Sequence, residues 1–282
     1  MKVPGSQADT ASSNRNKWLV RSLAFCLILG VGGGILLAMQ KSDSDKLGQL
    51  MLEAKKHGLP IEAKDLADLD PVPNAENSYK LVLKLMNDFP NLDPISKDVT
   101  NHNLSNQKIS STTVRFIAEA KAIAKFKGFD AHKDYDLGSS LLYPEYHYIK
   151  LAAKTIAMQA ELEAANGNVK AAVESLNEVK NLANQLSHEK VYLGALLKMA
   201  VQQNYYLSAA KVMNLANANP ASLEAIKSSL SVPIEEINLK TSFRGEFYYG
   251  VTFCRNFELF GGHQAMIDET YDCGDIDPTK LV

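Results

Sequence analysis

Cysteine is scarce in this sequence: three in 282 residues, Cys26, Cys254 and Cys273. So few cannot form a disulfide framework, and the core must come from burial. A basic excess is missing as well. Thirty Lys/Arg stand against 32 Asp/Glu, for a net charge of −2. That balance excludes the electrostatic footprint of a phosphate-backbone binder, and no nucleic-acid partner is expected. No stretch alternates with period two over strand length, and β-branched clusters are sparse, which excludes a sheet-based domain. The chain has no H-E-x-x-H, G-x-S-x-G, Walker or dinucleotide-glycine pattern, and its six histidines show no metal-ligand spacing. No cofactor and no metal ion is expected, and an enzyme is the less favoured reading.

Charge is missing altogether from one stretch. Between Arg21 and Lys41 lie nineteen uncharged residues, Ser22 to Gln40. As a helix they reach about 28 Å, close to the hydrocarbon thickness of a bilayer. Only a helix or a closed barrel satisfies its own backbone in lipid, so the run predicts a membrane-spanning helix over 18–40, with Trp18 at the headgroup level. It is longer than the apolar part of a signal peptide, and Ala38-Met39-Gln40 is a poor cleavage site, so an uncleaved anchor is preferred. Bulky Phe25 before Cys26, near the start of the run, argues against a lipoprotein cysteine.

Lys2, Arg15, Lys17 and Arg21 precede the run with only Asp9 against them; the other 26 basic and 31 acidic residues leave the remainder at −5. The positive-inside rule then places the N-terminus in the cytoplasm, the anchor in the inner membrane and residues 42–282 outside the cytoplasm. Ser22, Cys26, Gly30, Gly34 and Ala38 recur every four residues. Such a small-residue stripe lets two helices approach closely in lipid, and it predicts a parallel homodimer through Cys26, Gly30, Gly34 and Ala38.

The expected organisation is a disordered cytoplasmic tail (1–17), the anchor (18–40), a helical linker region (42–110), a helical domain (111–262) and an acidic tail (263–282). Apolar residues at helical spacing predict helices over 111–126, with Val114, Ile117 and Ala120 inward, and over 144–166, 169–186 and 189–217. Asn219-Pro220 starts another, and a last one runs from near Pro233 to Phe260. Asn74 is placed as the cap of a helix containing Asn77 and Leu85, and 96–110 as loop or weak helix. The fold class is all-α: a transmembrane helix followed by an extracytoplasmic domain of antiparallel helical hairpins.

The turn "EAANGNVKAAVESL" resembles the middle of a tetratricopeptide hairpin, with Gly167, Asn168 and Ala172 at the turn and Ala160 as a small residue in the first helix. No 34-residue period accompanies it. A wider likeness covers most of the chain. "KKHGLPIEAKDL", "PNAENSYKLV", "DYDLGSSLLYPEYHYIKLAAKTIAMQAELEAANGNVKAAVESL" and "FRGEF" occur in this order. In these the chain is similar to a group of single-span, predominantly helical bacterial proteins common in planctomycete-like genomes. The resemblance implies topology and supplies no catalytic residue.

Three constellations remain. Asp134, Asp136 and Glu145 fall at positions one, three and twelve of a calcium loop, but Gly138 and Ser139 break its pattern, so a solvated loop is preferred. Asp268, Asp272, Asp275 and Asp277 read as an acidic tail. In "SFRGEFYYGVTFCRNFELF", aromatic rows are flanked by Arg244 and Arg255. This helix reads first as a core element with one carboxylate held by an arginine, and second as a groove for a peptide or lipid tail, with Arg244, Glu246, Tyr249, Phe253, Arg255 and Phe257 as the binding surface. Cys254 and Cys273, on the oxidised side, are a candidate disulfide. The favoured function is an anchored binding or scaffold protein that holds to the bilayer through 18–40 and presents its helices to another envelope protein. The alternative is an envelope hydrolase whose site is assembled from the 130–147 loop and the 243–260 helix.

Overall fold

The computed structural model describes residues 44–101, 109–135, 137, 141–215, 220–236 and 238–259. The expected anchor, with Cys26, Gly30, Gly34 and Ala38, lies outside them, as do Cys273 and the acidic tail. Among the described residues no helix is long and apolar enough to cross a membrane. The regular structure among them is helical, with one isolated bridge between Asn77 and Gly128 and no strand. The chain divides into two compact units, one of Met1–Gly58 with Phe253–Val282 and one of Leu59–Thr252.

In the first unit, α1 (Ser44–Lys56) ends with Lys55 and Lys56 in its last turn, where cations suit the helix dipole. Gly58 follows at φ 68° and its N–H closes onto the Lys55 carbonyl at 2.9 Å.

The second unit opens with α2 (Ala63–Ala67), whose entry is fixed by the Asp65 carboxylate accepting from the Ile61 and Glu62 N–H groups. The next helix, α3 (Tyr79–Asp88), starts later than the sequence suggests. Asn77 precedes it, and its Oδ1 accepts from the Tyr79 N–H at 3.0 Å, so Asn77 rather than Asn74 serves the helix start. The residues after α3 launch another helix. Asn91 Oδ1 accepts from the Asp93 N–H, Pro94 occupies the first turn, and α4 runs over Asp93–Thr100.

Ser110 caps α5 (Ser111–Ile123), its hydroxyl accepting from the Thr113 N–H at 3.2 Å. Asp98 of α4 accepts from Ser110 N, Ser110 Oγ and Thr113 Oγ1. Burial acts to raise the Asp98 pKa, but these hydrogen bonds outweigh it and hold the carboxyl below its usual range. Val114, expected inward, is 55% exposed, and Phe116 takes the buried place. The inward stripe of α5 is set by Thr113, Phe116, Ile117, Ala120 and Ile123.

The centre is a layer of three long helices: α6 (Pro144–Ala165), α7 (Val169–Gln185) and α8 (Tyr192–Leu215). A three-residue turn joins α6 to α7 at Gly167, whose φ of 79° a side chain would strain. Nearly every face of α6 is buried, because α5 and α7 and α8 all pack on it. One buried polar link crosses this layer: Glu161 of α6 accepts from Ser208 Oγ at 2.7 Å and from Lys211 Nζ at 3.0 Å in α8. The sequence predicts a helical linker region over 42–110. In the structure Val82, Leu85, Phe89 and Ile95 of α3 and α4 share one core with α5 to α8.

A 3-10 turn, Leu186–His188, links α7 to α8, and α9 (Pro220–Ser231) begins at the expected proline. The last helix does not start at Pro233. Residues 232–236 are non-helical, Asn238 Oδ1 accepts from the Thr241 N–H at 3.1 Å, and α10 spans Leu239–Leu259.

Candidate functional site

Two features of the Leu59–Thr252 unit could carry function. One is a buried polar cluster where the 128–146 segment, the start of α8 and α10 meet. The other is the outward face of α8.

The cluster begins with Asn77, which reaches across to Asp130. Its Nδ2 donates to the Asp130 carbonyl at 2.8 Å and its Oδ1 accepts from the Asp130 N–H at 3.1 Å. Gln185 at the end of α7 holds the same segment: its amide donates to the Ile123 and Phe126 carbonyls, and it accepts from Ser78 Oγ. The Asp130 carboxylate is thereby aimed inward. It accepts from Lys190 Nζ at 2.9 Å and from the His132 N–H at 2.9 Å. Lys190 also donates to the Ala67 carbonyl at 2.9 Å and lies over the Tyr135 ring. A second ion pair, Lys133 with Glu145 at 2.8 Å, is almost as deeply buried, and Lys133 sits over the Tyr143 ring.

Tyrosines close the cluster. Tyr143 and Tyr146 stack at 4.8 Å, the Tyr146 hydroxyl donates to Glu189, and the Tyr143 and Tyr249 hydroxyls share a hydrogen bond. Burial pushes the Glu189 carboxyl up to about 8, further raised by Asp130 and Glu145; the hydrogen bond from Tyr146 and the charge of Lys190 act against the shift. Burial likewise raises Tyr135, Tyr143 and Tyr146, and it takes Tyr249 to about 12. At neutral pH the cluster is therefore two ion pairs, one neutral carboxyl and protonated phenols. Each carboxylate has its own lysine. Such a set clamps helices together.

The 130–147 loop and α10 do meet, at Tyr143 and Tyr249. Thr241, Ser242, Gly245, Tyr248 and Thr252 are buried, whereas Phe243 is 61% exposed. Close approach explains the choice of small residues. A Cβ on Gly245 would stand 1.9 Å from the Lys190 carbonyl oxygen, so only glycine lets α10 lie this near the start of α8. Gly245→Ala should then destabilise the fold by about 3 kcal/mol. Gly250, with nothing within 4 Å, is the control; its change to Ala should stabilise the helix by about 1 kcal/mol. Thermal denaturation of the two variants checks both signs.

Glu246 is held by a backbone group of α8. Its Oε1 accepts from the Tyr192 N–H at 2.9 Å, placing a carboxylate on the first turn of α8. Arg244 is half-buried on the neighbouring face. The α10 backbone continues through Phe253, Cys254, Arg255 and Phe257, whose side chains lie outside the described ones. Among the described residues no group of His, Cys, Asp and Glu could hold a metal ion. Glu145, the last position of the notional calcium loop, is instead paired with Lys133.

The second feature begins beside Glu246. Phe243 stacks on Tyr192, the first residue of α8. From there Leu193, Leu196, Met199, Tyr206, Leu207 and Met213 are exposed, each between 42% and 56%. At 100° per residue they fall with Tyr192 on one face, opposite the buried Val201, Tyr205, Ser208 and Val212. The only charged residues of α8 are Lys198, which is buried, and Lys211, which is paired with Glu161. A face meant only for water would carry more charge.

No protein-family model, curated protein or solved structure matches the chain.

Proposed function

We propose that this is a membrane-anchored, extracytoplasmic helical docking protein, of the single-span kind its ordered motifs resemble, with a tetratricopeptide-like hairpin in α6 and α7. The observation that carries the docking reading is the largely apolar outward face of α8, whose one charge, Lys211 at its edge, is paired with Glu161. Its six large side chains leave roughly 500 Å² of apolar surface open, at the upper end of what monomers expose and typical of a protein-binding patch. Anchoring is supported by the uncharged 22–40 run and its basic N-terminal flank. A hydrolase site between the 130–147 loop and α10 is the second reading, favoured by the meeting of Tyr143 with Tyr249; the one-to-one pairing of carboxylates with lysines weighs against it.

A photoreactive amino acid at Met199 of the full chain, in intact cells, tests the docking reading. It should yield protein adducts that the same probe at exposed Glu174 of α7 does not. Leu196→Glu should abolish them. Equal adducts at both positions, or no effect of Leu196→Glu, overturns the assignment.

A further inference from the structure

Resting on that docking reading, we infer that the occupant of the α8 face is a second copy of the same chain, with the two α8 helices antiparallel about a two-fold axis at Gln203. An isologous contact must be self-complementary: a residue a given distance before the axis meets the residue the same distance after it. About Gln203 this condition holds along the whole face. Leu193 is paired with Met213, Leu196 with Ala210, Met199 with Leu207, and Tyr206 with Ala200. Large thus meets small at two of the steps, as close helix packing with an interaxial distance of about 8–10 Å requires.

The polar residue on the axis fits the same arrangement. An amide carries both donors and an acceptor, so two Gln203 side chains can satisfy each other across a two-fold axis and fix its register. Leu196 and Ala210 each lie seven residues from Gln203, two helical turns away on the same face. Charge does not oppose the pairing, since Lys211 is already neutralised by Glu161 at the edge of the face. Two copies would bury roughly 1,000 Å² of apolar surface here, which reaches the lower bound for a specific interface. A parallel arrangement would instead stack each residue on itself, Leu196 on Leu196 and Ala210 on Ala210, and would leave the small residues without large partners.

The experiment uses the full chain in its membrane with Cys26, Cys254 and Cys273 replaced by Ser and one cysteine reintroduced on the exposed face. Under mild oxidation Gln203→Cys should give a covalent dimer. Leu196→Cys alone and Ala210→Cys alone should not, while the two co-expressed should link to each other. Loss of the Gln203→Cys dimer overturns the proposal, and so does a Leu196→Cys dimer of equal yield, which marks parallel or unspecific association. If Gln203→Cys fails to link while the Met199 probe captures a protein of another mass, the second copy is overturned and the docking reading stands. If neither links, both fall.

Discussion

Lys190→Met should cost the Leu59–Thr252 unit about 3–5 kcal/mol, the range for breaking a buried ion pair from one side. Lys190 is 2% exposed and Asp130 4%. Removing the ammonium strips Asp130 of its 2.9 Å partner and leaves the carboxylate with the His132 N–H and, at 3.6 Å, the His132 ring. The Ala67 carbonyl loses its donor too, so α2 loosens from the start of α8. The double variant Asp130→Asn/Lys190→Met should recover much of the loss, because no charge then stays buried without a counter-ion. Urea denaturation at pH 7 reads both. A loss under 1 kcal/mol in the single variant, or a double variant weaker than the single, would show that the pair does not organise the cluster.

The helical body was legible because its signals are local. Ser110 before "STTVRF", the Gly167 turn and Asn219-Pro220 each mark a boundary through a single hydrogen bond or a fixed dihedral angle. Boundaries set by tertiary contact were not. Pro233 resembles a helix start, yet the Glu235 N–H donates to Asn184 of α7 and Lys198 donates to the Glu236 carbonyl, which hold that segment extended. Val114 lost to Phe116 because α5 meets α6 on one side and α4 on another, a choice that periodicity within α5 cannot make.

The site was less legible for a similar reason. Asp130, Lys190 and Tyr146 come from three separate segments, and no spacing announces their meeting. The one available sign was "SHEKVY": two charged residues set directly before an apolar helix, where solvated charges are not the usual neighbours. The α8 face was hidden differently. A long helix with large apolar residues on several sides is ordinarily read as buried. The sequence carried the pattern but not which half of it the fold would cover. In α10 the aromatic rows did not announce the closest approach, since the contact at Lys190 selects for Gly245 rather than for bulk.

Glu189→Gln should remove most of the pH dependence of stability contributed by the cluster. The Glu189 carboxyl, at about 8 in the folded protein, stands above its ordinary value of 4.5. Between these values the folded chain keeps a proton that the unfolded chain has released. The stabilisation is therefore complete below pH 4.5, and it declines as pH rises through about 8, at about 1.4 kcal/mol per pH unit in the window. Gln cannot ionise, and its carbonyl oxygen can still accept from the Tyr146 hydroxyl. The variant should gain on the parent by about 4 kcal/mol between pH 5 and pH 8. The groups acting on Glu189 (Tyr146, Asp130, Glu145 and Lys190) remain in both proteins, as does Asp98, so the difference between the two curves reports on Glu189 itself. Denaturant midpoints at pH 5, 6, 7 and 8 measure it. Parallel curves for the two proteins would mean that Glu189 is ionised in the fold, with water or a cation reaching it, and the cluster would then have to be read as an open site rather than a clamp.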